Sequence, residues 1–168
     1  MNTRTEKSAD YRPDKTDMKI LEVLQADARI TLKDLSAKIS LSSTPCFERW
    51  RRLERLGYIE RYVTVLNPEK VNRGFTVFCS VKLRVLDHDV IQDFNRVIQD
   101  IPEVVECYNI SGRYDYLLKI HAPDMHYYKH FIINVLSRIK SIGTIDSYFV
   151  MDRTKQSFDI LNRSDIPE

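Results

Sequence analysis

The first half of the chain contains short segments whose apolar residues recur at helical spacing. Asp17 can cap a first helix, whose apolar positions are Ile20, Leu21 and Leu24. Thr31 and Asp34 form a capping box that opens a second short helix ending near Ile39. Residues 40–42, with the sequence Ser-Leu-Ser, then predict a tight polar turn with one buried anchor.

A third helix is predicted to begin around residues 43–45, with Pro45 at the first helical position, and to stop at Gly57. Its inward stripe consists of Cys46, Trp50, Leu53 and Leu56. Three short helices with a tight turn between the second and third make a helix-turn-helix unit. Residues 58–66, rich in Tyr, Ile and Val, predict a strand after it.

The second half alternates between strand and helix patterns. Four strands are predicted, at residues 77–85, 104–110, 114–121 and 145–151. One helix opens at Asp87 or Asp89 and closes at Pro102, and another is capped by Asp124. The resulting order, β-α-β-β-α-β, predicts a ferredoxin-like domain and an α+β fold class for the chain.

Two helices can cover only one face of a four-stranded sheet. The opposite face is predicted to carry Phe78, Leu117 and, according to register, Tyr148 or Phe149. Because an apolar patch of that size seldom faces water, this face is predicted to bury against a second copy in a symmetric homodimer.

Composition excludes several function classes. The four glycines form no phosphate-binding motif, and no nucleophile signature is present, so we do not expect an enzyme or a cofactor. Cys46, Cys79 and Cys107 are too far apart in sequence for a zinc motif, and their odd number indicates a reducing cytoplasm. No apolar run is long enough to span a membrane.

The distribution of charge favours a nucleic-acid partner. Residues 29–61 contain eight basic and four acidic side chains, so this segment is more positive than the whole chain, whose net charge is +2. A basic focus suits phosphate contacts on double-stranded DNA. The alternative is a solvated helical face of mixed charge.

Two runs of the sequence resemble the leucine-responsive regulatory protein (Lrp/AsnC, feast/famine) family of transcription regulators. They are residues 41–59 and residues 111–118, the second followed by 123–125. The resemblance implies a winged-type helix-turn-helix and a C-terminal RAM domain. It also implies that the strand after the third helix pairs across the dimer, and that dimers assemble further, often into octamers.

The third helix is the candidate recognition helix, because the N-terminal part of such a helix faces base edges. The candidate DNA-binding residues are Thr31, Ser42, Ser43, Thr44, Pro45, Glu48, Arg49, Arg51, Arg52 and Arg55. Solvated charges in intrahelical pairs, such as Glu48 with Arg52, are the alternative. Phe47 and Trp50 are larger than the resemblance leads us to expect, which bears on DNA sequence preference.

The resemblance implies an amino-acid effector bound between dimers, near the turn that follows the second strand. The candidate effector-binding residues are Ser111, Gly112, Arg113, Asp115, Met125, Tyr148 and Val150. The Asp115 carboxylate suits an amino group and Arg113 suits a carboxylate, although the two can also pair with each other, and Asp115 can lie at an exposed strand edge. His126 and His130, at helical spacing, lack the further ligands that a metal site needs.

The predicted organisation has five parts. They are a disordered arm at residues 1–15, the DNA-binding domain at 16–66, a hinge at 67–75, the effector-sensing and dimerisation domain at 76–153, and a tail at 154–168. The predicted function is a cytoplasmic, nucleoid-associated transcription regulator that responds to an amino acid. The alternative is an architectural DNA-organising protein without an effector, which would show no response to amino acids.

Overall fold

The structure is a computed structural model that describes residues 11–161. These residues divide into two compact units, one made of residues 11–64 and 155–161, and one that spans Val65–Thr154. Residues 1–10 of the predicted arm and 162–168 of the predicted tail lie outside the described residues.

The first unit contains three helices, α1 (Lys15–Ala26), α2 (Leu32–Ile39) and α3 (Ser43–Arg55). The predicted cap of α1 was wrong, because Asp14 and not Asp17 occupies the N-cap position. The Asp14 carboxylate accepts a hydrogen bond from the amide of Asp17 at 2.9 Å, and the Asp17 carboxylate accepts one from the amide of Asp14 at 3.2 Å. The N-cap therefore lies three residues earlier than predicted, and Asp17 is its capping-box partner and faces inward.

The turn and the ends of α3 follow from local backbone chemistry. Ser40 ends α2 in the left-handed conformation, at φ 58°. Gly57 ends α3 at φ 79°, and the amide of Tyr58 donates to the carbonyl of Leu53 at 3.0 Å, a Schellman arrangement. Pro45 is the third helical residue and not the first, which is tolerated because amides in the first turn have no intrahelical partner.

The segment 58–66 is not a strand, contrary to prediction. A strand needs a partner strand to take up its backbone hydrogen bonds. Within residues 11–161, no strand lies beside this segment, and no backbone hydrogen bond involves residues 59–66. Its large apolar side chains are exposed at Tyr62, Val63, Val65 and Leu66.

The second unit has the predicted β-α-β-β-α-β order, and the ferredoxin-like prediction is confirmed. The elements are β1 (Phe75–Leu83), α4 (His88–Gln99), β2 (Val104–Asn109), β3 (Tyr116–Ala122), α5 (Met125–Asn134), a short 3-10 turn (Leu136–Arg138) and β4 (Ile142–Phe149). The antiparallel sheet has the strand order β2-β3-β1-β4.

Strand register decides which residues the helices cover. Phe149 lies on the helix side, with its ring centroid 5.7 Å from those of Phe75 and Tyr128. Tyr148 pairs with Phe78 on the opposite face, which we call the open face.

The open face is more polar than predicted. Besides Phe78, Leu117, Tyr108 and Tyr148 it carries Ser80, Asp146 and an ion pair between Lys119 and Glu106, whose charged atoms are 2.6 Å apart. Each row across the strands contains both apolar and polar residues, as at many protein interfaces.

Part of the C-terminal tail belongs to the first unit. The amide of Ile160 donates to the side-chain oxygen of Gln25 on α1, at 2.9 Å. Within residues 11–161, none of the helices is both long enough and apolar enough to cross a membrane.

Candidate functional site

The α3 helix presents one face to solvent and the opposite face to the core of the first unit. Cys46 and Leu53 are buried, and Trp50 packs beside them with its indole N–H 2.6 Å from the Tyr62 hydroxyl. The exposed face carries Ser43, Thr44, Phe47, Glu48, Arg51 and Arg55. Side chains three and four residues apart share a helix face, so these six residues form a continuous surface.

Arg49 and Arg52 lie at the edge of that surface and are held from behind by Asp17. The Asp17 side chain has no exposed area. Arg49 donates to one of its carboxylate oxygens at 2.8 Å, and Arg52 does so at 3.3 Å. A buried carboxylate is stable only when charge and hydrogen bonds compensate for lost water, and these two arginines supply both.

Tyr11 completes this cluster from the other side. Its hydroxyl donates to Asp17, its ring lies 4.6 Å from the Arg52 guanidinium carbon, and its carbonyl accepts from the Tyr58 hydroxyl at 2.8 Å. Burial and the Asp17 hydrogen bond raise the pKa of Tyr11 to about 12. Tyr11 therefore packs on the first unit, although it falls in the stretch predicted to be a disordered arm.

Asp14 adds a second carboxylate at the edge of the cluster, and Arg49 donates to it at 2.6 Å. Burial alone would raise the pKa of Asp14, but the Asp17 amide and the Arg49 guanidinium outweigh it and lower that pKa. Hydrogen bonds to Asp14 and then Asp17 raise the pKa of Arg49. The α3 helix is thus fixed against α1 by charge as well as by apolar packing.

Thr31 and Ser42 differ in how free their hydroxyls are. The Thr31 hydroxyl accepts from the amide of Asp34 at 3.1 Å and donates to its carboxylate at 2.7 Å, which confirms the predicted cap of α2. Ser42 occupies the N-cap position of α3 without a side-chain capping bond. Its hydroxyl and the first amides of α3 are therefore open to an anion such as a DNA phosphate.

In the second unit, the turn between β2 and β3 (residues 110–115, the effector turn) contains four of the candidate effector residues. Gly112 has φ 126°, a conformation that L side chains rarely adopt. The Lys82 ammonium donates to the carbonyl of Arg113 at 3.0 Å, while the Arg113 guanidinium lies 5.5 Å from the ring centroid of Tyr114. The Tyr114 hydroxyl donates to Asp146.

Asp115 fastens the effector turn to β1. Its amide donates to the carbonyl of Val81 at 2.9 Å, and its carboxylate accepts from the amide of Leu83 at 2.7 Å. The β1–β3 pairing ends at Val81, so the Leu83 amide has no β3 carbonyl opposite it. The Asp115 side chain serves as the acceptor for that amide instead. Asp115 is buried and does not lie at an exposed strand edge, one of the predicted alternatives.

The candidate effector residues do not all lie together. The effector turn precedes Tyr116 at one end of β3, whereas Met125 follows Ala122 at the other end, about 20 Å away along the strand. The amide of Val150 donates to the carbonyl of Thr76, which pairs with His121 at that second end. Tyr148 lies on the open face, in the neighbouring β4.

The histidine pair predicted on α5 lies close together, with the ring centroids of His126 and His130 4.7 Å apart. Within residues 11–161, no group of three or more His, Cys, Asp or Glu side chains is arranged to hold a metal ion.

Comparison with known proteins is informative for both units. A family model described as "Winged helix-turn-helix DNA-binding" matches residues 13–60, and one described as "Lrp/AsnC ligand binding domain" matches residues 76–160. The leucine-responsive regulatory protein of Escherichia coli K12 is 41% identical over 144 residues, which are 86% of this chain and 88% of that protein. The chain belongs to the Lrp/AsnC family.

Solved structures agree. A transcriptional regulator of Neisseria meningitidis, crystallised in complex with L-Met, has a TM-score of 0.86 and 35% identity, covering 89% of this chain and 97% of that one. An AsnC family regulator of Agrobacterium tumefaciens has a TM-score of 0.84 and 37% identity, with the same coverage. This Lrp/AsnC protein is a DNA-binding transcription regulator with a ligand-binding domain, as predicted, and these relatives are regulators and not enzymes.

Sequence reasoning missed two residues of the first unit. Tyr11 stands in a polar stretch without periodicity, so no local pattern indicated that it packs on Asp17 and Arg52. Asp17 resembles a helix cap in the sequence, although its helical spacing from Ile20, Leu21 and Leu24 is the signal of an inward-facing carboxylate.

Replacing Asp17 by Asn should lower the free energy of unfolding by about 2 kcal/mol, because Arg49 and Arg52 lose their buried anion. Urea denaturation followed by the fluorescence of Trp50, the single tryptophan, measures this in the unit concerned. Glu60→Gln, in an exposed 4.0 Å pair with Arg61, should change the value by less than about 0.5 kcal/mol. Equal effects of the two substitutions would contradict a stabilising role for the cluster.

Proposed function

We propose that this Lrp/AsnC protein is a sequence-specific regulator of the cytoplasmic nucleoid that reads DNA through the exposed face of α3. In this proposal it acts as a homodimer that assembles further, to octamers, and a free amino acid shifts its assembly or its affinity for DNA. The basic exposed face of α3, in a unit that matches a DNA-binding family, is the observation that carries the proposal.

Arg51 and Arg55 are the arginines best suited to reach DNA. The Arg51 side chain is 67% exposed and makes one helical pair, with Glu54 at 2.8 Å, whereas the Arg49 side chain is 29% exposed and bound to two carboxylates. Moving Arg49 or Arg52 onto DNA requires weakening their bonds to Asp17. We therefore assign them mainly to holding α3 in place, with any phosphate contact made by the part of the guanidinium that remains exposed.

Arg51→Ala and Arg55→Ala should each weaken DNA binding and reduce the slope of log affinity against log salt by about one, because each removes one phosphate-neutralising charge. Fluorescence anisotropy with a labelled duplex at several salt concentrations measures both quantities. Arg96→Ala, an exposed arginine paired with Asp93 on α4, is the matched control and should leave the slope unchanged. An unaltered slope in both α3 variants would remove this face from the DNA interface.

Two observations support the homodimer. The open face carries apolar residues that no helix of the second unit covers, among them Phe78 and Leu117. The segment 59–66 has exposed apolar side chains and unpaired backbone groups, which suits pairing with the same segment of a second copy. In a two-fold assembly both features would be buried by identical partners.

Leu117→Lys should convert the assembly to monomers, because it introduces an ammonium into the proposed open-face interface. Size-exclusion chromatography with light scattering measures the mass, and circular dichroism verifies folding. Ile133→Lys, which changes an exposed apolar residue on α5, should retain a mass of at least two chains. A wild-type protein that stays at 19.8 kDa at micromolar concentration would refute the dimer.

The amino-acid effector is supported by the N. meningitidis relative crystallised in complex with L-Met. Arg113 can hold an effector carboxylate, since its guanidinium has no carboxylate partner within residues 11–161. Because the effector turn and Met125 lie at opposite ends of β3, we infer that one binding site takes its residues from two copies. An effector bound between copies would favour one assembly state, which is how ligand binding shifts such an equilibrium.

A thermal-shift screen of the common amino acids tests this proposal. An effector at a hundredfold excess over its Kd adds about 2.7 kcal/mol and should raise Tm by roughly 5 to 10 °C. Arg113→Ala should abolish the shift, while Arg96→Ala should keep it. No stabilisation of the wild type by any amino acid would favour the alternative, an architectural DNA-organising protein without an effector.

A further inference from the structure

Phe47 is the one aromatic residue on the exposed face of α3, among the residues that the structure describes. It is the fifth of thirteen residues in the helix, and 48% of its surface is exposed. Its helical neighbours on that face are polar or charged, namely Ser43, Thr44, Glu48 and Arg51. A large apolar side chain exposed in such surroundings has no counterpart elsewhere on α3.

Core packing does not account for this residue. The apolar core of the first unit contains Cys46 and Leu53, with Trp50 packed against it, but Phe47 is not part of that cluster. Its ring instead lies 6.0 Å from the guanidinium carbon of Arg51, one helical turn away. The stability of the fold therefore gains little from an aromatic ring at this position.

We propose that Phe47 determines DNA sequence preference by contacting the C5 methyl group of a thymine in the major groove. This inference rests on the proposed docking of the exposed face of α3 on DNA. The N-terminal half of a recognition helix faces base edges, and the thymine methyl is the apolar group that distinguishes bases there. Contact with it would bury a ring that is otherwise half exposed to water.

Arg51 is positioned to contact the DNA next to the thymine that Phe47 would contact. With its guanidinium close to the Phe47 ring, it is directed along the same face of the helix. Beside a thymine it can donate to the acceptors of a neighbouring guanine or to a phosphate. Phe47 and Arg51 would then read adjacent positions as a pair.

The test removes the methyl group from the DNA and the ring from the protein. A duplex is first selected by the wild-type protein from a randomised library, and each thymine in it is then replaced singly by deoxyuridine, which lacks only the methyl. At one thymine per half-site, this replacement should weaken wild-type binding about fourfold, corresponding to about 0.8 kcal/mol for one buried methyl-sized group.

With Phe47→Ala the same replacement should change affinity by less than a factor of about 1.5, whereas Met151→Ala, which alters a side chain that is 97% exposed, should keep the fourfold penalty. Phe47→Leu, which retains an apolar side chain, should keep part of it. Unchanged thermal melting of the variants shows that they fold.

Two results would overturn the inference while leaving the recognition helix in place. They are a selected duplex in which no thymine is sensitive to deoxyuridine, and a penalty that persists in Phe47→Ala. If the wild type selects no sequence, or if Arg51→Ala and Arg55→Ala bind DNA normally, the proposed docking of α3 on DNA is refuted. The inference about Phe47 is then refuted with it.

Discussion

The sheet of the second unit is covered by helices on one face only, and much of the rest of the molecule depends on this constraint. Along each strand, alternate side chains point to opposite faces, so half of β1 and β3 has no cover within the unit. The helix-covered face is a dry interior rich in Val, Leu and Ile. The open face instead combines Phe78 and Leu117 with Ser80 and Asp146. Such a mixture suits an interface between folded copies better than an interior.

The first unit is stabilised in a different way, because its helices are short and its core is small. Apolar burial along α3 is limited to a narrow stripe, so a charged contact supplements it. Arg49, Arg52 and Tyr11 all bond to the one buried carboxylate of Asp17. Because both arginines lie on α3, these bonds fix the rotation of α3 about its own axis. That rotation decides which side chains face away from the core. In the proposed docking of α3 on DNA, this contact would govern recognition without any part of Asp17 touching DNA.

Local signals predicted most of the fold. The Thr31 cap, the Gly57 stop and the alternation along β1 all depend on neighbouring residues, and the structure agrees with them. The errors arise where a distant partner decides the outcome. Residues 58–66 have strand composition, but no strand lies beside them within residues 11–161. Asp17 resembles a helix cap in the sequence, and only its contacts with Arg49 and Arg52 show that it faces inward. The same holds for the candidate sites, since spacing on α3 gave the residue types but not which arginines were already engaged.

The separation of the effector turn from Met125 along β3 has a genetic consequence. Suppose that each ligand site combines the effector turn of one chain with the far end of β3 from another. A mutation at either end then damages only the half-site that this end supplies, and the chain's other half-site remains intact. Two different defective chains, mixed in one cell, would then assemble some sites from two sound halves. Alleles of this gene would complement one another according to which end of β3 they alter, and the pattern of complementation would map the contacts between subunits.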